Sequence, residues 1–222
     1  GKEQDFIDDA GIVIEEPEFI NSLSGLENLK ILAEIQKKIS EAEIIEVLKQ
    51  FDLYEDRNKK VGKYSVGMKQ KLRLAQAVME KPQVLILDEP TAGLDPKERV
   101  RFRNLISAFS KDRIVILSTH IVSDVEFIAE EIIMMKSGQI IHFGNPQEIT
   151  SEIDGQVWEC TVPTAYAEKY AAAYNTSNLR NTSENQTILR IIGDRPPMEN
   201  AVRVQPTLED LYLFYFKGGC EE

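Results

Sequence analysis

The sequence predicts an α/β fold whose central sheet is mainly parallel. Short apolar runs at residues 10–14, 84–87 and 114–117 are typical of buried strands, and segments with helical spacing of apolar residues separate them. Strands that alternate with helices are joined by crossovers, which makes neighbouring strands parallel. The four aliphatic residues at 84–87 indicate a strand that is covered on both faces.

Helix-start signals predict a helical subdomain at about residues 20–80. Ser24 with Glu27, and Ser40 with Glu43, each form a capping box, in which a hydroxyl and a carboxylate satisfy free amides at the start of a helix. Apolar residues follow both boxes at helical spacing, so we expect two short helices that pack through one face each.

Two longer helices and a hairpin follow. One helix begins at Ser65 and leads to the 84–87 strand. Another begins at Asp95, where Asp is a good N-cap and Pro96 occupies the first helical position at no cost in hydrogen bonds. Beyond the 114–117 strand and one more helix, two apolar stretches flank Ser137-Gly138, a pattern typical of a β-hairpin.

The character of the sequence changes after about Thr150. Alternating strand patterns and two helical segments replace the buried runs, and residues 175–186 form a polar stretch between strands. We therefore expect residues 1–150 to form one domain. Residues 151–222 should form a small α+β accessory domain, removable without loss of the chemistry of the first.

Composition and charge exclude several classes of function. The net charge of −11 and the lack of a Lys/Arg cluster argue against a nucleic-acid partner. The longest apolar runs, of four to six residues, are too short to span a bilayer, so contact with a membrane would require a partner protein. Cys160 and Cys220 show no metal-ligand spacing, which favours a reducing compartment.

Two adjacent carboxylates, Asp88 and Glu89, stand where the 84–87 strand ends. Open α/β sheets place their ligand chemistry at such strand ends. Asp88 could hold Mg²⁺ against nucleotide phosphates, and Glu89 could then polarise an attacking water. The alternative is that both carboxylates only compensate the dipole of the following helix.

Four short segments, taken in order, resemble the motifs of the ATP-binding cassette (ABC) family, the ATPase subunits of ABC transporters. They are Tyr-Ser-Val-Gly-Met-Lys-Gln at 64–70, the strand with Asp-Glu at 84–89, Ala-Gly-Leu-Asp at 92–95, and Ser-Thr-His at 118–120. In that family they correspond to the signature motif, the Walker B strand, the D-loop and the switch histidine. The resemblance extends from about residue 11 to about residue 149 and implies a P-loop-type core.

The resemblance assigns roles at the strand ends. It implies that Asp88 holds Mg²⁺, that Glu89 orients or deprotonates the attacking water, and that His120 contacts the γ-phosphate. Asp95 would communicate between the two sites of a dimer. For His120 the alternative is a structural or solvated histidine, and Asp95 is also a good N-cap.

At the signature helix, the resemblance implies nucleotide contacts from Ser65, Gly67 and Met68. A helix N-terminus offers free amides and partial positive charge to phosphate oxygens, and in this family it faces the ATP that the opposite subunit holds. The sequence departs from the usual motif at Val66 and Met68, where Gly and Gln are common. An ordinary helix capped by Ser65 is the alternative.

Glu15 occupies the position at which the family usually carries a glutamine that senses Mg²⁺ and couples to the membrane domain. The resemblance therefore implies a metal-binding and nucleotide-binding role for Glu15. The version Glu-Glu-Pro-Glu-Phe at 15–19 resembles a bacterial subgroup that includes bacitracin-type and peptide-antibiotic exporters.

Together these features predict the ATP-binding and ATP-hydrolysing subunit of an ABC transporter, with ATP and Mg²⁺ as cofactors. It would act as a dimer with a second ATPase subunit, at the cytoplasmic face of transmembrane permease subunits, and power export. Two alternatives stay open: a soluble ABC ATPase that serves translation or DNA repair, and a non-catalytic interaction module. The first usually carries two cassettes or a long coiled coil, and residues 20–63 are too short for one.

The phosphate-loop motif Gly-x-x-x-x-Gly-Lys-Ser/Thr does not occur in the 222 residues. The amides and the lysine of that loop cradle the phosphates. The sequence thus predicts a part of a longer ATPase, with unpaired strand edges that favour association. Alone it should neither bind ATP usefully nor hydrolyse it, and should offer only the signature-helix face of a site.

Overall fold

This computed structural model describes residues 9–14, 19–182 and 184–216, without the side chain of residue 36. The chain forms two compact units, Gly1–His120 and Ile121–Glu222. The boundary between these units follows His120. It lies well before residue 150, where the change in sequence pattern predicts a domain boundary. The removable accessory domain at 151–222 stays a prediction.

The first unit contains a three-stranded sheet in the order β1-β2-β3 and four helices among its described residues. The elements are β1 (Ala10–Val13), α1 (Gly25–Gln36), α2 (Glu41–Gln50), α3 (Val66–Val78), β2 (Val84–Asp88), α4 (Pro96–Phe109) and β3 (Ile114–Ser118). Both strand pairs are parallel, and Asp88 lies opposite Ser118 at the carboxyl edge. The predicted parallel α/β fold is confirmed.

The helices begin where the capping signals place them. Ser24 accepts a hydrogen bond from the amide of Glu27 while the Glu27 carboxylate accepts one from the Ser24 amide, and Ser40 with Glu43 repeats the arrangement. The helices α1, α2 and α3 then bury a shared apolar core. Its fully buried members include Leu29, Ile44, Leu48, Phe51, Leu72 and Leu74.

The two faces of the sheet differ in exposure. Val13, Leu85 and Leu87 are buried on one face. On the opposite face, Ile114 and Ile116 are 63% and 54% exposed. The prediction that residues 114–117 form a buried strand is therefore wrong on this face: β3 is an edge strand, and its isoleucines point away from the buried core.

The second unit combines a hairpin with a four-stranded antiparallel sheet. Its elements are α5 (Val122–Ile128), β4 (Ile132–Lys136), β5 (Gln139–Gly144), α6 (Pro146–Thr150), β6 (Val157–Pro163), α7 (Thr164–Ala173), β7 (Thr176–Asn181), β8 (Gln186–Ile192), β9 (Val202–Arg203) and α8 (Leu208–Phe216). The sheet order is β7-β8-β6-β9, and β4 pairs with β5 as predicted.

The strand β7 lies inside the polar stretch 175–186, which carries no strand pattern in the sequence. It pairs antiparallel with β8 at the edge of the sheet. Most of its side chains are exposed, so pairing with a neighbour outweighs the low strand propensity of Asn and Ser.

One apolar core explains why the second unit starts before residue 150. Side chains of β4 and α6 pack in the same cluster as side chains of β6 and α8. Its buried members are Ile132, Met134, Ile149, Ile153, Val157, Leu208 and Leu211. A boundary at 150 would divide this core between two domains.

A charged pair fixes α8 to the sheet of the second unit. Arg190, on β8, donates to both carboxylate oxygens of Asp210 at 2.7–3.0 Å, and Asp210 also accepts from the hydroxyls of Ser177 and Thr207. Only 1% of the Asp210 side chain is exposed. Burial alone would raise the pKa of Asp210, but the hydrogen bonds from Arg190, Ser177 and Thr207 together lower it below its ordinary value.

Replacing Asp210 by Asn should lower the free energy of unfolding of residues 1–222 by about 3 kcal/mol at pH 7, because Arg190 loses its buried counter-ion. Urea denaturation measures this, with Glu209→Gln on the exposed face of α8 as the matched control. Because the pKa of Asp210 is lower in the folded than in the unfolded state, its contribution is complete above about pH 4 and falls as the pH drops through the folded-state pKa. Equal stability of Asp210→Asn and the parent chain at pH 7 would contradict this account.

Candidate functional site

The carboxyl edge of β2 and β3 carries the first cluster of predicted site residues. The register sets Asp88 opposite Ser118, and the Ser118 hydroxyl donates a hydrogen bond to Asp88 Oδ1. One residue further on, the amide of Glu89 donates to the Ser118 carbonyl at 3.0 Å. The parallel pairing therefore places both carboxylates beside the segment that follows β3.

Glu89 is held by three groups from that segment. Its carboxylate accepts from the Thr119 hydroxyl at 3.2 Å and from the His120 amide at 3.0 Å. The His120 ring nitrogen Nδ1 lies 2.8 Å from Glu89 Oε1. The Glu89 backbone has φ of 44°, in the left-handed region, which is costly for a residue other than glycine and is found preferentially at functional sites.

The contact between the ring and the carboxylate sets the tautomer of His120. With Glu89 ionised, the proton of a neutral imidazole belongs on Nδ1, where it is shared with the carboxylate. The Nε2 atom is then the acceptor, and it becomes a donor when the ring is protonated. The side chain of His120 is 71% exposed and that of Glu89 is 36% exposed, so a ligand from solvent can reach both.

The oxygen atoms at this edge suit a hard cation. Asp88 contributes a carboxylate and Ser118 a hydroxyl, the ligand types that Mg²⁺ prefers. Over the described ranges of the chain, no three or more His, Cys, Asp and Glu side chains gather in a metal-binding group. The Asp88 carboxylate and the Ser118 hydroxyl fit Mg²⁺ held by one or two protein oxygens, because protein-bound Mg²⁺ usually keeps several waters and binds phosphate oxygens.

The second cluster comprises the N-termini of α3 and α4. Ser65 caps α3 by accepting from the Met68 amide at 3.2 Å, and Asp95 caps α4 by accepting from the Glu98 amide at 2.9 Å. The Ser65 and Asp95 side chains are exposed. The capping roles are thus confirmed, and they leave other amides of each first turn available to a ligand.

Nothing in the part of the chain that the structure describes requires a glycine at position 67. A Cβ atom there would lie 3.5 Å from Glu98 Oε2 and 3.8 Å from Leu94 Cδ2, which are ordinary contacts, and the backbone is helical. At Gly25, by contrast, a Cβ atom would collide with the Tyr64 hydroxyl. Glycine weakens a helix relative to alanine, and the described residues give no packing reason for Gly67; we propose that the space it leaves serves the close approach of a ligand.

The structure thus brings Asp88, Glu89 and His120 together, and it places Ser65, Gly67, Met68 and Asp95 at the second cluster. Glu15 lies outside the described residues. Ser118 and Thr119, which contact the two carboxylates, received no role from the sequence. The signal was present, because both residues follow the strand that neighbours the one ending at Asp88.

His142, which the sequence leaves structural, takes no part in either cluster. Its Nδ1 atom lies 2.8 Å from Glu152 Oε1, and its ring packs 4.6 Å from the Tyr215 ring, centre to centre. These contacts fasten the hairpin to α8 inside the second unit. A structural role accounts for them.

Comparison with known families supports the motif assignment. The family model described as "ABC transporter" matches residues 2–92, which include both helix α3 and the strand with Asp88 and Glu89. The resemblance to the ABC ATPases is confirmed. The matched segment is similar to the ABC transporter family, and several curated relatives extend the similarity over about six tenths of this chain.

Three relatives illustrate the similarity. The bacitracin transport ATP-binding protein of Enterococcus faecalis is 37% identical over 141 residues, which is 63% of this chain and 46% of the relative. An uncharacterised ABC transporter ATP-binding protein of Bacillus subtilis is 39% identical over 132 residues, 59% of this chain and 43% of the relative. The lantibiotic transport ATP-binding protein of Streptococcus pyogenes is 37% identical over 132 residues, 59% of this chain and 57% of the relative. The chain spans only about half the length of these relatives.

Two solved structures share the fold. One is an ATP-binding cassette of an ABC transporter in its ADP conformation, with a TM-score of 0.54, 23% identity and coverage of 62% of each chain. The other is a dimeric post-hydrolysis state of an ATP-binding cassette bound to ADP and Pi, with a TM-score of 0.56, 24% identity and coverage of 63% of each chain. Of the helices that the structure describes here, none has the length and apolarity needed to cross a membrane.

Substituting Gly67 by Ala should leave the fold intact and raise the free energy of unfolding of residues 1–222 by about 0.5–1 kcal/mol, because alanine is the better helix former. Gly25→Ala, also in the first turn of a helix, should lower it because of the collision with Tyr64. Thermal or urea denaturation of both variants makes the comparison. A clear loss of stability in Gly67→Ala would show that the glycine serves packing inside the chain.

Proposed function

We propose that this chain belongs to the ATP-binding and ATP-hydrolysing subunit of an ABC transporter of the exporter type. The observation that carries the proposal is the Glu89 carboxylate, held beside Asp88 at the strand edge by the Thr119 hydroxyl and by the amide and ring of His120. A helix-dipole role for the carboxylates would not require these contacts from the segment after β3. Positioned carboxylates at the ends of parallel strands suit phosphoryl transfer, which depends on placement and charge more than on covalent chemistry.

Each residue of this edge has a task in the proposed reaction. Asp88, oriented by the Ser118 hydroxyl, would bind the metal through oxygen. Glu89 would accept a hydrogen bond from the attacking water and take its proton. His120 would keep Glu89 Oε1 in place through Nδ1 and, in its protonated form, would donate a hydrogen bond from Nε2 to the terminal phosphate. Bound Mg²⁺ would supply charge neutralisation at the β- and γ-phosphates of ATP.

The helix α3 would serve a different nucleotide from the one that Glu89 acts on. Its capped N-terminus, with the space that Gly67 leaves, suits the phosphates of ATP held by a second ATPase subunit, so the active form would be a dimer. One of the two solved structures that share the fold is a dimer bound to ADP and Pi, which supports this arrangement. Glu15 would add a metal and nucleotide contact and would couple the protein to the membrane subunits.

The proposed partners are transmembrane permease subunits, which would hold the protein at the cytoplasmic face of the membrane. The names of the relatives, bacitracin and lantibiotic transport ATP-binding proteins, support export of a peptide antibiotic or a similar molecule. The net charge of −11 makes a nucleic-acid partner a poor alternative.

Glu89→Gln should reduce ATP hydrolysis by about 10²–10⁴-fold, because the amide cannot take a proton from the attacking water. ATP binding should persist. The measurement is steady-state phosphate release, together with the Kd for Mg-ATP, in a polypeptide that joins these residues to a phosphate loop. His120→Ala should likewise slow hydrolysis more than it weakens binding. The exposed variant Lys97→Met on α4 serves as a control that retains activity, and parent-like turnover in Glu89→Gln would refute the assigned role.

The 222 residues alone contain no phosphate-loop motif, and we propose that they do not hydrolyse ATP by themselves. Isothermal titration of residues 1–222 with Mg-ATP should give no binding in the micromolar range, because the loop amides and lysine that hold the phosphates are not among them. A polypeptide with a phosphate loop provides the positive control. Micromolar affinity for residues 1–222 would mean that a different group of residues binds the nucleotide.

A further inference from the structure

A nearly buried lysine joins α3 to α4 in the first unit. The Lys71 side chain is only 11% exposed, and its ammonium nitrogen lies 3.5 Å from Glu98 Oε2 and 3.9 Å from Asp52 Oδ2. Glu98 belongs to the first turn of α4, and Asp52 follows the end of α2. The Lys71 ammonium therefore contacts one carboxylate in the first turn of α4 and a second one just after the end of α2.

Glu98 is also held in place by contacts within α4. Its amide donates to the Asp95 cap at 2.9 Å, and its Oε1 accepts from Arg101 Nη1 at 2.7 Å. The Glu98 carboxylate also lies close to Gly67: a Cβ atom placed on Gly67 would be 3.5 Å from Glu98 Oε2, an ordinary contact distance. The Glu98 side chain therefore stands directly beside the first turn of α3, between Gly67 and Lys71.

Two further contacts join the same pair of segments. The Gln70 side-chain amide donates to the Ala92 carbonyl at 3.5 Å. The Val66 side chain lies beside the turn at Gly93, whose φ is +73°. A Cβ atom placed on Gly93 would be 3.6 Å from Val66 Cγ1. The first two turns of α3 thus pack against residues 92–98, the segment that follows the Glu89 carboxylate in the chain.

We propose that Lys71 is a positioning residue: through Glu98 it holds the phosphate-facing N-terminus of α3 at a fixed place relative to the turn that leads from Glu89 into α4. This inference rests on the proposed function and adds a residue to it. Lys71 does not touch nucleotide. It fixes the positions of Ser65 and Gly67 relative to the ATP that a second subunit holds. A small displacement of such groups is enough to lower the rate of reaction by a large factor.

The test separates nucleotide binding from assembly, in a polypeptide that joins these residues to a phosphate loop. Lys71→Met removes the charge while keeping most of the side-chain volume, and Lys71→Arg restores the charge. Lys49→Met, which breaks an exposed pair with Glu46 on α2, is the matched control. The readouts are the Kd for Mg-ATP of the monomer, the Kd for ATP-dependent dimer formation by sedimentation, and kcat.

We expect Lys71→Met to bind Mg-ATP as the parent does, to weaken ATP-dependent dimer formation about tenfold, and to lower kcat by about 10–100-fold. Lys71→Arg should recover most of the loss, and Lys49→Met should behave as the parent. A Lys71→Met protein with parent-like dimer formation and kcat would overturn the inference. So would equal losses in monomer binding and dimer formation, which indicate general destabilisation. If the parent itself neither forms an ATP-dependent dimer nor hydrolyses ATP, the proposed function fails instead.

Discussion

The parallel register between β2 and β3 is the constraint on which the candidate site depends. It sets Asp88 opposite Ser118 and lets the Glu89 amide bond to the Ser118 carbonyl, so that the residues after the two strands must meet. The left-handed backbone of Glu89 then directs its carboxylate to Thr119 and His120. The buried leucines Leu85 and Leu87 hold β2 in that register, which links the apolar pattern of the strand to the placement of its polar end.

The N-terminus of α3, in the same unit, is the part that we propose faces a different nucleotide. The N-terminus of α3 has an exposed cap, a glycine that the fold does not require, and a set of contacts with residues 92–98. The chain segment from Glu89 to Glu98 therefore connects the edge that we propose is hydrolytic with the helix that we propose faces phosphate. Such a connection suits an enzyme in which two nucleotide sites must respond to one another, because a shift in the turn reaches both groups.

Much of this arrangement could be predicted from the sequence, because the signals are local. Capping boxes at Ser24 and Ser40, the Asp95 cap and the apolar runs each act within a few residues. What escaped prediction depends on contacts between distant segments. The edge strand β7 has no propensity of its own and exists through pairing with β8, and the core shared by β4 and α8 joins residues far apart in the chain. The pair between Lys71 and Glu98 is of the same kind, since no local pattern brings these two residues together.

The central claim is that Glu89 and the α3 N-terminus of one chain serve different nucleotides. Mixing two inactive variants, each joined to a phosphate loop, tests it most directly: one carries Glu89→Gln, and the other carries Ser65→Arg, which blocks the helix N-terminus. If each site combines Glu89 from one subunit with Ser65 from the other, the mixed dimer contains one site with both parts intact, and ATP hydrolysis returns on mixing. If both parts act on the same nucleotide within one chain, every site stays defective and the mixture remains inactive, which would contradict the account.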